Sequence, residues 1–255
     1  MIKKILKKKG KSKIICLTAY SKNFSEEIDK YADIILVGDS LGSVLYNFKT
    51  TRNVTLNNMI QHSQSVRLGV KKSLMVVDMP HNTYRNNKEA LKNSKKVISL
   101  TKCDAVKLEG GEKIKNIVKY LTNNKIPVMG HIGILPQSIK GIFKYKGRTD
   151  KEREKLLKDA KALENAGAFS IVLECIQSKT AKMITKSLKI PTIGIGSSAH
   201  CDGQVLVTDD LIGLNETKIR FVKKFVNIKL LIRKGLKKFK SEVKKSKYPS
   251  KKYSY

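Results

Sequence analysis

Eight short apolar runs punctuate the chain, at residues 14–19, 34–37, 74–77, 105–108, 127–130, 170–173, 192–195 and 205–207. They are rich in β-branched residues and nearly continuously apolar rather than alternating, the pattern of strands covered on both faces of a parallel sheet. Helical periodicity fills most of the intervals. Leu56, Met59, Ile60 and Val66 share one helical face, and Leu156, Ala160 and Leu163 share another. The second stretch is preceded by Thr149 and Glu152, spaced as a capping box, and followed by Gly167 as a stop signal. Eight strands alternating with helices in 255 residues predict a single (β/α)8 TIM barrel, since an open doubly wound sheet usually has fewer strands. The eighth strand carries the least pattern: only residues 196–204 separate it from the seventh, too few for a full helix.

Polar residues gather directly after these runs, at Gly38-Asp39-Ser40, Asp78-Met79-Pro80, Lys107-Leu108-Glu109, Gly130-His131, Glu174 and Gly196-Ser197-Ser198. In a parallel barrel the carboxyl ends of all strands meet at one rim, so these groups converge although they are far apart in sequence. Asp39, Asp78 and Glu109 are oxygen donors with no His or Cys ligand nearby in sequence. Such a set suits a hard cation such as Mg²⁺ better than zinc, and equally suits strand-end caps or partners for neighbouring lysines. Lys107 and Glu109, two residues apart, point to the same side of a strand. Taken alone they read as a structural ion pair; facing a site, the lysine would hold a substrate carboxylate or a developing enolate. A Schiff-base role favours a lysine remote from carboxylates. Of the histidines at 62, 81, 131 and 200, only His131 stands at a strand end, and His62 falls on the polar side of a helix as an inert residue. The glycine-rich stretch 194–199 follows a run but opens no helical pattern, so no dinucleotide site is read there.

Composition changes the picture less than its net charge of +32 suggests. All but seven of the 53 basic residues are lysine, whereas bidentate recognition of phosphate or guanine favours arginine. Residues 1–13 hold seven lysines, and residues 234–255 hold nine against the single acid Glu242. With no Trp and 6% aromatic residues there is little to stack on bases. The expectation is salt-sensitive adhesion to polyanions without a specific nucleic-acid site. The domain plan is a basic segment at 1–13, a catalytic barrel at 14–233 and a lysine-rich tail at 234–255, both ends fraying. Four cysteines without a C-x-x-C pair read as free thiols in a reducing compartment. There is no signal-like leader and no apolar stretch long enough for a bilayer, so the expected location is cytoplasmic, with no membrane partner.

Taken together, the blocks LTAY (17–20), LVGDSLG (36–42), VVDMP (76–80), AVKLEGG (105–111), IPVMGHIGILPQS (126–138), AGAFSIVLE (166–174) and IPTIGIGSSAHCDGQVLV (190–207) resemble the ketopantoate hydroxymethyltransferase family, over about residues 14–225. That family is known as a (β/α)8 barrel. The resemblance implies that Asp39, Asp78 and Glu109 form a Mg²⁺ site. It implies that Asp39, Ser40, Asp78 and Lys107 contact a 2-oxo acid and that Glu174 is the catalytic base. The implied reaction joins 3-methyl-2-oxobutanoate with 5,10-methylenetetrahydrofolate and water, through a Mg²⁺-stabilised enolate, to give ketopantoate and tetrahydrofolate. It is the first step of pantothenate synthesis, and family members are typically homodecamers. Departures from the family pattern are Ser21, His81, Lys140-Gly141 and Ser197-Ser198, which bear on rim loops and folate binding rather than on the metal or the base. The alternative is another Mg²⁺-dependent 2-oxo-acid barrel, such as a C–C lyase of the isocitrate lyase type, which needs no folate.

Overall fold

The computed structural model describes residues 1–138, 144–216 and 218–255, so the Lys140-Gly141 departure lies outside the described residues. Each of the eight apolar runs becomes a strand: β1 (Ile14–Thr18), β2 (Ile34–Val37), β3 (Leu74–Asp78), β4 (Ala105–Glu109), β5 (Val128–Gly133), β6 (Ser170–Glu174), β7 (Thr192–Ile195) and β8 (Gly203–Leu206). All pair in parallel in sequence order, and β8 closes on β1, giving the expected barrel. The helices are α1 (Ile2–Lys7), α2 (Lys22–Ile28), α3 (Leu41–Tyr46), α4 (Leu56–Gly69), α5 (Asn87–Thr101), α6 (Lys115–Asn123), α7 (Asp150–Asn165), α8 (Ser178–Ser187), α9 (Thr208–Leu211) and α10 (Ile228–Lys244). As the spacing predicted, β7 and β8 are joined without a helix.

Helix boundaries follow from caps. Thr55 and Asn58 cap each other reciprocally at the start of α4. At α7 the Thr149 hydroxyl accepts from the Glu152 amide at 3.2 Å, but the Glu152 carboxylate reaches back to the amide of Arg148 at 2.8 Å, so the expected box closes one residue earlier on that side. Gly167 ends this helix at φ +92°, a backbone conformation that a Cβ would strain.

Strand alternation divides the core in two. Outward residues such as Ile35, Val37, Met75, Val77, Val106, Leu108, Val128 and Ile171 pack under the helices. Inward residues Ile14, Cys16, Ile34, Leu36, Leu74, Val76, Ala105, Met129, Val172, Ile193 and Val205 fill the barrel itself. Ile5 of α1 joins this inner cluster at 3% exposure, so the N-terminal segment does not fray as expected. Burying one Ile stabilises by about 1.5–3 kcal/mol. Lys9 then bonds Asp202 at 2.8 Å, and the Gly10 amide bonds the same carboxylate at 3.0 Å, fastening the segment to the start of β8.

The chain forms two compact units, Met1–Val207, which holds the barrel, and Thr208–Tyr255. The expected boundary at 233 falls inside α10, and the barrel unit ends at Val207 instead. In the second unit α10 is amphipathic: Ile232, Leu236, Phe239 and Val243 lie along one exposed face and most of its lysines along the other. Among the described residues no helix is long and apolar enough to cross a membrane.

Candidate active site

The parity of the strands decides which side chains enter the barrel. Counting inward from Leu74 and Val76 reaches Asp78; from Ala105, Lys107 and Glu109; from Met129, His131; from Val172, Glu174. Apolar residues therefore fill the lower layers, and four consecutive strands carry polar residues at their upper inward positions. Pairing registers set the neighbours: Asp78 lies opposite Lys107, and Glu109 opposite His131. Asp39 and Ser40 arrive from the turn after β2. Gly38 leaves room for the serine, since a Cβ there would stand 2.8 Å from the Ser40 hydroxyl oxygen.

Six polar side chains meet at this rim with almost no solvent contact. Asp39, Asp78, Lys107, Glu109 and His131 are all buried, and the Glu174 side chain retains 18% exposure. Asp78 Oδ1 lies 3.0 Å from Lys107 Nζ, an ion pair that is off the hydrogen-bond axis, and Asp78 Oδ2 accepts from the Asp39 amide at 3.1 Å. His131 Nε2 is 3.1 Å from Glu174 Oε2, again off axis, while His131 Nδ1 faces Lys107 Nζ at 3.4 Å and Glu109 Oε1 at 3.6 Å. Contacts of this kind commonly tighten only when substrate is bound. Tyr20 OH pairs with the Ser40 hydroxyl at 2.9 Å. His62, expected to be inert, bonds the Tyr20 carbonyl through Nδ1 at 2.7 Å and Tyr46 OH through Nε2 at 2.7 Å, and so braces this corner.

Burial and crowding of like charge set the protonation states. Burial, with the charge of Asp78 behind it, pushes Asp39 up to about 7, although Lys107 and Gln137 pull it down. Burial likewise holds Glu109 well above the usual carboxylate range. For Lys107 burial favours the neutral amine, but Asp78, Glu109 and Asp39 overcome it and raise the pKa, keeping the ammonium. Burial, then the charge of Lys107, lowers His131, which favours the neutral imidazole.

The acidic cluster has the donor chemistry of a hard-cation site. Asp39 and Asp78 are adjacent, Asp78 Oδ1 has no aligned hydrogen-bond donor, and two carboxylates suffice for Mg²⁺, which keeps waters and substrate oxygens as its remaining ligands. Among the described residues no three His, Cys, Asp or Glu side chains close into a cage. Glu109 is turned toward its own partners: its Oε2 accepts from the Gln137 amide at 3.0 Å.

Residues the sequence did not single out complete the rim. Gln137, in the loop after β5, donates from Nε2 to Asp39 Oδ2 at 2.8 Å and to the Met79 carbonyl at 3.0 Å, and accepts from Tyr84 OH at 2.7 Å. Arg52 Nε donates to the Gln137 carbonyl at 2.8 Å. Gln137 lies beyond its strand, where alternation no longer indicates facing, Tyr84 comes from a loop, and Arg52 from a single 3-10 turn at 51–53, neither of which carries a pattern. His81, Ser197 and Ser198 remain part-exposed or outside this charged cluster, and Ser198 bonds Ser178 at 2.9 Å.

Solved structures with the same architecture include phosphonopyruvate hydrolase in complex with oxalate and Mg²⁺ (TM-score 0.62, 10% identity, covering 99% of this chain and 92% of that one). Another is 2,3-dimethylmalate lyase, a member of the PEP mutase/isocitrate lyase superfamily (TM-score 0.64, 14% identity, covering 94% and 84%). At these identities the likeness shows the fold. Sequence decides the family. A 3-methyl-2-oxobutanoate hydroxymethyltransferase of Pelagibacter ubique is 65% identical over the whole of both chains, and one of Rhizobium etli is 44% identical over 95% of this chain and 90% of its own. The model of the ketopantoate hydroxymethyltransferases matches residues 1–251. With these matches running nearly end to end and the barrel's rim carrying the acids, lysine and serine that the resemblance named, this chain belongs to the ketopantoate hydroxymethyltransferase family of enzymes.

Proposed function

We propose that the enzyme adds a hydroxymethyl group to C3 of 3-methyl-2-oxobutanoate, taking the carbon from 5,10-methylenetetrahydrofolate and the oxygen from water, and releases ketopantoate and tetrahydrofolate. This is the entry step of pantothenate synthesis. The observation that carries the reading is the juxtaposition at one rim of a carboxylate pair, an ammonium and a separate, partly exposed carboxylate: Asp39 with Asp78, Lys107, and Glu174.

Asp39 and Asp78 would hold Mg²⁺, which when bound supplies Lewis-acid polarisation of the 2-oxo group. Lys107 keeps its positive charge in a buried setting, so it binds the substrate's negative oxygens and stabilises the charge that grows as C3 loses its proton. The Ser40 hydroxyl, already oriented by Tyr20, offers a hydrogen bond to the same oxygens. Glu174 takes the C3 proton at its carboxylate. The neutral His131 beside it steadies that carboxylate without adding a competing positive charge. The resulting C3 carbanion equivalent attacks the folate-borne methylene carbon, forming the C–C bond as one folate C–N bond opens; water then replaces the remaining C–N bond, its oxygen staying on the carbon as the hydroxyl, and the protons pass to the nitrogens of the released tetrahydrofolate. Glu109, bonded to the Gln137 amide, acts on the cation through water. The same reading makes the protein a cytoplasmic decamer, which sedimentation velocity tests.

A product assay decides between this reaction and the lyase alternative. Ketopantoate should form only when the 2-oxo acid, the methylene donor and Mg²⁺ are all present. Cleavage of a 2-hydroxy acid with the folate omitted, and no ketopantoate with it added, would overturn the proposal.

A further inference from the structure

Gln137 makes five hydrogen bonds at the rim and is itself assigned to neither substrate nor cation. Its amide orientation is settled by its neighbours. Asp39 Oδ2 and the Met79 carbonyl are both acceptors, so the NH2 group must face them, and the remaining oxygen accepts from the Tyr84 hydroxyl. Its own backbone is pinned on both sides, the amide by Glu109 Oε2 at 3.0 Å and the carbonyl by Arg52 Nε at 2.8 Å. A residue needed only to fill space here would be apolar, because a buried amide is tolerated only when its groups are paired. Instead every polar atom of Gln137 is paired, and two of the bonds fall on carboxylates of the acidic cluster.

We propose that Gln137 is the positioning residue of this site: its side chain fixes the plane of the Asp39 carboxylate, and its main-chain amide holds Glu109 beside it, so that a divalent cation and a 2-oxo acid meet an already ordered set of oxygens. The chain of bonds runs from Tyr84 OH to Gln137, from Gln137 to Asp39, and from the Asp39 amide to Asp78. Tyr84 locks the amide against a flip that would turn its oxygen toward Asp39. The inference rests on the assignment of Asp39 and Asp78 as cation ligands made above.

The test uses the full chain and Mn²⁺ alone as the probe, with free Mn²⁺ counted by electron paramagnetic resonance and no substrate present. Gln137→Met keeps size but removes the donor to Asp39, and it should weaken Mn²⁺ binding about 10- to 100-fold, the usual scale for residues that orient a metal ligand. Tyr84→Phe, which removes only the lock, should weaken it a few-fold, and the double variant should bind no worse than Gln137→Met, because both act through one chain. A merely structural Gln137 would lower the melting temperature and leave Mn²⁺ affinity at the wild-type value; that result, or additive losses in the double variant, would overturn the inference. If Gln137→Met does not fold, unaltered Mn²⁺ affinity in Tyr84→Phe overturns it in the same way. Wild-type protein that binds no Mn²⁺ would instead overturn the cation assignment beneath it.

Discussion

Replacing Lys107 with Met removes the ammonium paired with Asp78 while keeping a flexible side chain of similar length. At 3.0 Å and an effective dielectric constant of about 20, the Lys107–Asp78 attraction is roughly 5 kcal/mol. The variant no longer carries the cost of burying the ammonium, but it leaves a buried carboxylate unpaired, and breaking such pairs costs about 3–5 kcal/mol in practice. For a chain of this size that corresponds to a melting temperature lower by roughly 10 °C. The loss should depend on pH. Asp39, at about 7, and Glu109 are already raised by burial, and Lys107 pulls both down, so its removal moves both further up. A carboxyl whose folded pKa exceeds its unfolded value favours the folded state at low pH, and this benefit is lost as pH rises through the folded value. The deficit of Lys107→Met relative to wild type should therefore grow from pH 5 through pH 7 to pH 8.5. Urea unfolding at these three values measures it. A deficit that is flat with pH, or largest at pH 5, would refute the picture of mutually repelling buried acids held by one lysine.

Asp39→Asn and Asp78→Asn remove charge at nearly constant shape and should each abolish saturable Mg²⁺ binding together with turnover, whereas Glu109→Gln should be milder; calorimetric titration ranks them, and wild-type Mg²⁺ affinity in either Asn variant would reject the ligand pair. Asp202 is held below the usual carboxylate range because Lys9 and the Thr192 and Gly10 amides outweigh its burial. Its contribution is thus complete above the unfolded value of about 4 and disappears as pH falls through the lower folded value. Asp202→Ala should cost about 3 kcal/mol at pH 7 and progressively less as pH falls below about 4, measured by denaturant unfolding.

The barrel was legible because burial on both faces leaves a simple trace, a short β-branched run, and because eight such runs fit one closed sheet and few alternatives. Asp78, Glu109 and Glu174 were legible for a related reason, since each directly follows a run, and Lys107 because it stands two residues before Glu109, so that alternation fixes the facing of all four. Sequence pattern does not reach α1, whose lysines read as a loose end while burial of Ile5 and the bonds of Lys9 and Gly10 to Asp202 dock it beneath the barrel. Gln137 and Tyr84 were hidden because a loop residue's partners depend on three-dimensional closure. Both sit in segments whose composition is ordinary, and only the hydrogen bonds that converge on Asp39 distinguish them. The bracing bonds of His62 were hidden on the same ground, since a polar helix face gave no hint of the Tyr20 carbonyl above it.

The central claim is that Glu174 removes the C3 proton of the 2-oxo acid, and solvent exchange tests it without folate. Wild-type enzyme with Mg²⁺ and 3-methyl-2-oxobutanoate in deuterium oxide should incorporate deuterium at C3, followed by proton magnetic resonance. Glu174→Gln should bind the 2-oxo acid nearly as well and exchange about 10²- to 10⁴-fold more slowly, the scale of a lost general base. Exchange at the wild-type rate in Glu174→Gln would contradict the account and move the role of base to His131, 3.1 Å away.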